Sequence, residues 1–360
     1  MSLFCGRSEK MKTRTIKIED IHAQAEAFED AGKILRGGGL VAFPTETVYG
    51  LGADGFNAEA CADIYRAKGR PSDNPLILHV ADRKMVDSAA IVTPLAEKIL
   101  AAFCPGPVTM ILPKRDAVPD SITGGLGTVG VRMPDNDIAR AMIRAAGVPV
   151  AAPSANISGR PSPTTAEIVA EDMDGRIPLI IDGGPCRFGV ESTIIDCTGD
   201  TAVILRPGAV TREMLEEVCG SVALDPALVG AHTVPKAPGM KYTHYAPKAP
   251  LTLIHGAPEK LEKAFAEEIQ REQEKGNTVG IIVSEELSEK LGQIVPKELI
   301  AVYGPRGDYY EIAAHLYEAL RSFDNKKADV LFGEATEEDG LGLAVMNRFR
   351  KSAGGRVMFV

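Results

Sequence analysis

The sequence predicts an α/β protein in two parts. A twisted mixed sheet with helices against it comes first, and a smaller, Rossmann-like open α/β domain follows. Three observations carry this. Short apolar runs rich in β-branched residues alternate with stretches of helical periodicity along the chain. Up to residue 219 the connections mix long and short, as a mixed sheet requires. After a Pro-rich break the pattern becomes plain strand–helix alternation. A chain of 360 residues is long enough for two such domains.

Taken in order, Met11 opens MKTRTIKI with β-branched alternation and is as natural a beginning as Met1, so residues 1–10 read as a dispensable leader, and the leader region is drawn over 1–15, up to the first domain. A helix is expected over 22–35, with Ala25, Phe28, Ala31 and Leu35 at helical spacing and the glycines 37–39 ending it. A strand over 40–43 runs into Pro44, and Asn57 caps a helix that reaches Lys68, where Gly69 and Pro71 stop it. Further strands are expected over 76–80, 108–112, 128–132, 148–152, 179–181, 193–196 and 203–205, with helices near 94–103, 136–146, 164–173 and 211–218. The first domain is thus drawn over 16–219.

Residues 220–249 form a Pro-rich linker that is unusually basic and aromatic, carrying Lys236, Lys241, Tyr242, His244, Tyr245 and Lys248. The second domain, 250–360, is expected to have strands over 251–254, 278–283, 299–303 and 330–332, and helices near 258–275, 285–292, 308–323 and 343–351. It has no G-x-G-x-x-G after its first strand and so is not read as a dinucleotide binder.

Composition narrows the function. A net charge of −9 argues against a broad grip on nucleic-acid phosphate, and 5% aromatics without tryptophan argue against a base-stacking platform. The six cysteines form no C-x-x-C pair, which favours buried free thiols over a zinc site or disulfide framework. With no signal-peptide core and no apolar run of about 18 residues, a cytoplasmic protein without membrane contact is expected.

The chemistry must come from polar residues at element ends. There is no Walker lysine after Gly124-Gly125-Leu126-Gly127, and no H-E-x-x-H or G-x-S-x-G. What remains is Lys68 and Arg70 at a helix exit, Arg132 and Arg206 at strand ends, Ser154 and Asn156 after a strand, and Ser192 opening one. Arginine suits a bidentate carboxylate and lysine a phosphate oxygen, so the set fits a pocket for a polyphosphate plus a carboxylate. None of these pairs a nucleophile with a base, and catalysis would rest on positioning and charge neutralisation. Individually the residues also have plainer roles. Lys68 and Arg70 suit a solvated helix end, His79 a satisfied core histidine, Thr45 and Glu46 a turn cap, Ser154 and Asn156 a turn, and Tyr242 and Tyr245 apolar anchors for the linker.

The ordered runs PTETVYGL (44–51), KGRP (68–71), NPL (74–76), PGPVT (105–109), VRMP (131–134), APSAN (152–156) and ESTI (191–194) closely resemble the YrdC/Sua5 family. The linker APGMKYTHYAP (237–247) resembles its two-domain Sua5 branch. The resemblance covers residues 16–360 and implies a YrdC-like catalytic domain followed by a Sua5-type C-terminal domain. Such proteins make L-threonylcarbamoyladenylate and pyrophosphate from L-threonine, bicarbonate or CO2, and ATP with Mg2+. The product serves the tRNA threonylcarbamoyl-transfer machinery that builds N6-threonylcarbamoyladenosine at position 37.

By the same resemblance, Thr45, His79, Arg132, Ala152 and Ser192 would contact threonine. Lys68, Arg70, Ser72, Asn74, Thr128, Ser154, Asn156, Ser162, Ser192 and Arg206 would hold ATP, with Tyr242 and Tyr245 closing over it as a lid. Lys68, Arg70 and Ser192 would carry catalysis, and no side chain is assigned to the metal. Two other classes fit parts of the chain. One is a double-stranded RNA or tRNA-binding module, which the acidic balance disfavours. The other is a carbamoyl-transfer component of hydrogenase maturation, which would want cysteine-pair zinc fingers that the sequence lacks.

Overall fold

The computed structural model describes residues 11–72, 74–229 and 245–360. The first sheet contains β1 (Arg14–Lys17), β2 (Val41–Phe43), β3 (Gly50–Asp54), β4 (Ile77–His79), β5 (Val108–Pro113), β6 (Thr128–Arg132), β7 (Val150–Ala152), β8 (Leu179–Asp182), β9 (Thr193–Asp196), β10 (Ala202–Arg206) and β11 (Val222–Leu224). Their order is β1-β8-β2-β3-β7-β4-β6-β5-β9-β10-β11. Pairings are mixed: β4 lies parallel to β6 and antiparallel to β7. The second sheet contains β12 (Leu251–His255), β13 (Val279–Val283), β14 (Ile300–Val302), β15 (Val330–Glu334) and β16 (Val357–Phe359), in the order β14-β13-β15-β12-β16 with parallel pairings. This is the mixed sheet followed by an open α/β domain that the sequence predicts.

The departures have local causes. β1 begins at Arg14, inside the stretch read as a leader, and pairs with β8 through Arg14↔Leu179. β3 is GLGAD, whose glycines hide a strand from propensity; a Cβ on Gly52 would lie 2.7 Å from Val150, so close packing of the sheet explains the residue. β11 continues the first sheet by pairing with β10, past the boundary drawn at residue 219. The Arg83–Ala89 helix, capped by Asp82, and the three-residue β16 also lie outside the expected elements.

The helix Ala58–Lys68 shows how local signals build the site. The Asn57 side chain accepts the N–H groups of Glu59 and Ala60, and Gly69 ends the helix at φ 63°, a conformation glycine adopts without strain. Cys61, Ile64, Tyr65 and Lys68 share its buried face, so helical spacing carries the last residue, a lysine, inward.

The two domains share one apolar cluster. Val48, Val190, Ala209 and Tyr245 pack with Leu316, Tyr317, Val345 and Phe349. Gly189, at φ 69°, makes this approach possible, because a Cβ there would lie 2.3 Å from the Ala313 carbonyl oxygen. Among the described residues, no helix is long and apolar enough to cross a membrane.

Candidate functional site

Strand register sets the first half of the site. His79 is paired with Arg132 in the parallel β4–β6 ladder, and Ile77 with Ala152 in the antiparallel β4–β7 ladder. Because side chains alternate along a strand, His79, Arg132 and Ala152 stand on one face. The chain leaving β7 adds Ser154 and Asn156, and the exit after Lys68 adds Arg70. Thr45, Lys68, Arg70, His79, Arg132, Ala152, Ser154, Asn156, Ser162, Ser192, Arg206 and Tyr245 line one pocket enclosing about 760 Å³, part of it open to solvent.

At one end Arg132 Nη2 lies 2.9 Å from Glu46 Oε1, with the two side chains 4% and 3% exposed. Distance makes this an ion pair, but orientation does not make it a hydrogen bond. Arg132 Nε and Nη2 and both Glu46 oxygens lack hydrogen-bond partners among the described residues. A buried polar group left so costs about 1–3 kcal/mol, and a ligand carboxylate is the natural complement to a guanidinium. Beside it, burial first and the Arg132 charge second push the His79 imidazole down to about 3, so it is neutral near pH 7. Its Nδ1 lies 3.3 Å from the Ile77 carbonyl oxygen. Thr45 lines the pocket while closing its own turn. Its Oγ1 accepts from the Thr47 and Val48 N–H groups and donates to the Val48 carbonyl at 2.7 Å.

Elsewhere in the lining Lys68 Nζ donates to the Ser154 carbonyl at 2.6 Å and to the Asn156 carbonyl. Burial, then the neighbouring Arg70 charge, push this amine well below the usual lysine range. Ser154 Oγ donates to Asn156 Oδ1, and Asn156 Nδ2 donates to the Ile157 and Arg160 carbonyls, so the polar loop is hydrogen-bonded within itself. Arg70 Nη2 donates to the Pro75 carbonyl at 3.2 Å.

The third wall is centred on Ser192. Arg206 donates from Nε to the Ser192 carbonyl at 3.1 Å and from Nη2 to its hydroxyl at 3.2 Å, while Thr109 Oγ1 lies 2.8 Å from the same hydroxyl. Burial lowers Arg206 to about 10, partly offset by Glu191, so it stays cationic near neutrality. Ser162 Oγ donates to Glu191 Oε1 at 2.7 Å. Burial would raise the Glu191 carboxyl, but the charges of Arg348 and Arg206 outweigh it and hold the group well below the usual range. Tyr245, at φ 67°, stacks on Tyr317 with ring centres 5.0 Å apart.

Ser72, Asn74 and Thr128 are not in the pocket lining. Asn74 is buried and its carbonyl accepts from Arg70 and Tyr65. Thr128 opens β6 two residues before Gly130, which pairs with Ile77. Tyr242, and with it half of the expected lid, lies outside the described residues. Glu46, Glu191 and Arg160 enter the site although sequence reasoning assigned them no role there. The first two stand inside the motif runs 44–51 and 191–194, where an acid beside apolar neighbours was the available signal.

Both domains of the chain match known proteins. Residues 33–208 match the Sua5/YciO/YrdC family profile, described as telomere recombination, and residues 210–354 match the profile described as threonylcarbamoyl-AMP synthase, C-terminal domain. The chain is 49% identical over 330 residues to the threonylcarbamoyl-AMP synthase of Bacillus subtilis, covering 91% of this chain and 93% of that one. It is 48% identical over 333 residues to the Pyrococcus abyssi enzyme of the same name, covering 92% and 95%. The structure of P. abyssi Sua5 complexed with L-threonine superposes with a TM-score of 0.90 at 46% identity, covering 97% of this chain and all of that one.

Proposed function

The chain belongs to the Sua5/YciO/YrdC family, in its two-domain Sua5 form, and on that premise we propose that it is a threonylcarbamoyl-AMP synthase. It would condense L-threonine, bicarbonate or CO2, and ATP into L-threonylcarbamoyladenylate and pyrophosphate, as a nucleotidyltransferase acting on the α-phosphate. The observation that carries this reading is the pairing, in one pocket, of a buried guanidinium with idle donors and a cationic wall. Arg132 offers Nε and Nη2, and Lys68, Arg70 and Arg206 line the same pocket. The shared name of the relatives and the threonine complex of the P. abyssi protein favour this reading over an RNA-binding module.

In this scheme the threonine carboxylate sits on Arg132 with the neutral His79 beside it. The neutral amine adds to the carbon of CO2 as one C–O π bond opens onto oxygen and a proton leaves the nitrogen for solvent, giving a carbamate; with bicarbonate the C–OH bond breaks instead and water departs. A carbamate oxygen then bonds to the α-phosphorus as the bond to the pyrophosphate oxygen breaks. Charge gathers on the phosphates and Arg70 and Arg206 offset it; the same negative charge would favour the protonated form of the buried Lys68, whose amine is otherwise pushed down, while Ser192 stands between the two ligands. No group of three or more His, Cys, Asp or Glu side chains able to hold a metal forms among the described residues. The Mg2+ would arrive on the ATP phosphates as part of that substrate. The product would pass to the tRNA threonylcarbamoyl-transfer machinery.

The test is pyrophosphate release by the purified full chain with ATP, Mg2+, bicarbonate and threonine. Release that depends on threonine supports the assignment, and release unchanged without threonine overturns it.

A further inference from the structure

Both walls on the nucleotide side of the pocket are held from behind by the second domain. Two of its helices, Tyr309–Ser322 and Gly342–Ser352, press against the first domain. From the second of these, the fully buried Arg348 donates from Nε to Glu191 Oε2 at 3.0 Å and from Nη2 to the Glu191 carbonyl at 3.1 Å. Its Nη1 donates to the Pro207 carbonyl. Glu191 precedes Ser192 and Pro207 follows Arg206. One guanidinium thus ties together the two segments that carry the Ser192–Arg206 contact. The hydroxyl of Tyr317 adds bonds to both Glu191 oxygens, at 3.0 and 2.8 Å, and Glu191 in turn receives Ser162 Oγ.

The neighbouring segment of the lining, from Ser154 to Ser162, is treated alike. Arg321 donates to the Pro161 carbonyl from Nε and Nη2 at 3.0 and 2.6 Å, and pairs with Asp172 at 2.8 Å. Asp172 also accepts the Ile157 N–H at 3.1 Å. The loop that bears Ser154, Asn156 and Ser162 is therefore braced by a side chain outside its own domain. A domain retained only as a neighbour or a tether would not need buried arginines aimed at main-chain carbonyls of a site it does not line.

We infer that the second domain completes the nucleotide half of the active site, with Arg348 as the positioning residue that sets Ser192 and Arg206, and Arg321 bracing the loop from Ser154 to Ser162. The inference rests on the function proposed above for the ligands it names, though its own readout is binding. A lysine at 348 keeps a positive charge but lacks the planar fork that reaches a carboxylate and two carbonyls at once.

The experiment compares the full chain with its Arg348→Lys variant by calorimetric titration with MgATP and, separately, with threonine, after thermal unfolding has shown both to be folded. The expected result is an ATP dissociation constant raised at least tenfold, with that for threonine, which meets this wall only through Ser192, raised by a clearly smaller factor. Equal shifts for the two ligands, or ATP binding within twofold of wild type, overturn the inference. Should Arg348→Lys fail to fold, Tyr317→Phe decides, since it removes only one hydroxyl, which bonds Glu191 and also meets the Tyr245 side chain. A threefold or greater weakening confined to ATP supports the inference, and unchanged ATP binding overturns it. Failure of threonine-dependent pyrophosphate release in the wild type would overturn the proposed reaction while leaving this ATP comparison readable.

Discussion

Arg132 and Glu46 lie 2.9 Å apart in the interior, yet neither satisfies the other's hydrogen-bonding capacity. The carboxylate neutralises the guanidinium and leaves Nε and Nη2 available to a second acceptor. Replacing Arg132 by Ala should therefore weaken threonine binding by about 1.5–3 kcal/mol, the worth of a charge-assisted contact. ATP binding should change much less. Calorimetry with each ligand separates the two, and equal losses would refute the carboxylate role.

The partner residue should behave differently. Glu46→Gln leaves Arg132 charged and buried without its counter-charge, which costs about 3–5 kcal/mol when one member of such a pair is removed. A threonine carboxylate would restore the balance. The variant is expected to unfold at lower temperature than wild type and to regain more of its thermal stability on adding threonine. An equal threonine-induced shift in both proteins would show that Glu46 does not compensate Arg132.

The neutral His79 makes a pH prediction. Its folded value is lowered to about 3, while an unfolded histidine titrates near 6.5. Between those values the unfolded chain binds the proton and the folded one does not. Stability from this group is therefore present above about 6.5 and is lost as pH falls. Urea unfolding from pH 6.5 to 5 should show a decline that His79→Asn flattens. That interval lies above ordinary carboxyl titration, so the low-lying Glu191 does not contaminate the slope. Parallel declines in the two proteins would mean that His79 is accessible to protons in the folded state.

How much of this was legible in the sequence depends on distance along the chain. Asn57 as a cap and Gly69 as a stop announce the helix that delivers Lys68, because each acts on its immediate neighbours. The two-domain organisation follows from periodicity for the same reason. The Arg348–Glu191 contact spans a sequence separation of 157, and nothing local distinguishes Arg348 from other basic residues of its helix except its position. Arg348 falls on the same helical face as Ala344, Val345 and Phe349, all buried, whereas Arg350 does not. An arginine on an apolar stripe is a signal, but its partner is not readable without the fold. β3 was hidden by its glycines, whose value lies in how closely Val150 and Phe43 approach them.

Gly189 tests whether the docking of the two domains matters to the site. Alanine there would adopt a left-handed φ of 69° and place its Cβ 2.3 Å from the Ala313 carbonyl oxygen and 2.4 Å from Ala314 Cα. Those are backbone atoms of the helix Tyr309–Ser322, so the contact cannot be relieved by turning a side chain. The left-handed conformation alone costs about 1–2 kcal/mol, and overpacking adds roughly 1–3 kcal/mol. The helix must withdraw, taking Tyr317 away from Glu191. Gly276→Ala provides the control: its φ is 85°, but a Cβ there meets nothing within 4 Å, so only the backbone cost applies. Gly189→Ala should lower the unfolding temperature more than Gly276→Ala and weaken ATP binding, which the control leaves intact. Unaltered ATP affinity in a folded Gly189→Ala protein would mean that the fit of the two domains can loosen without disturbing the nucleotide wall.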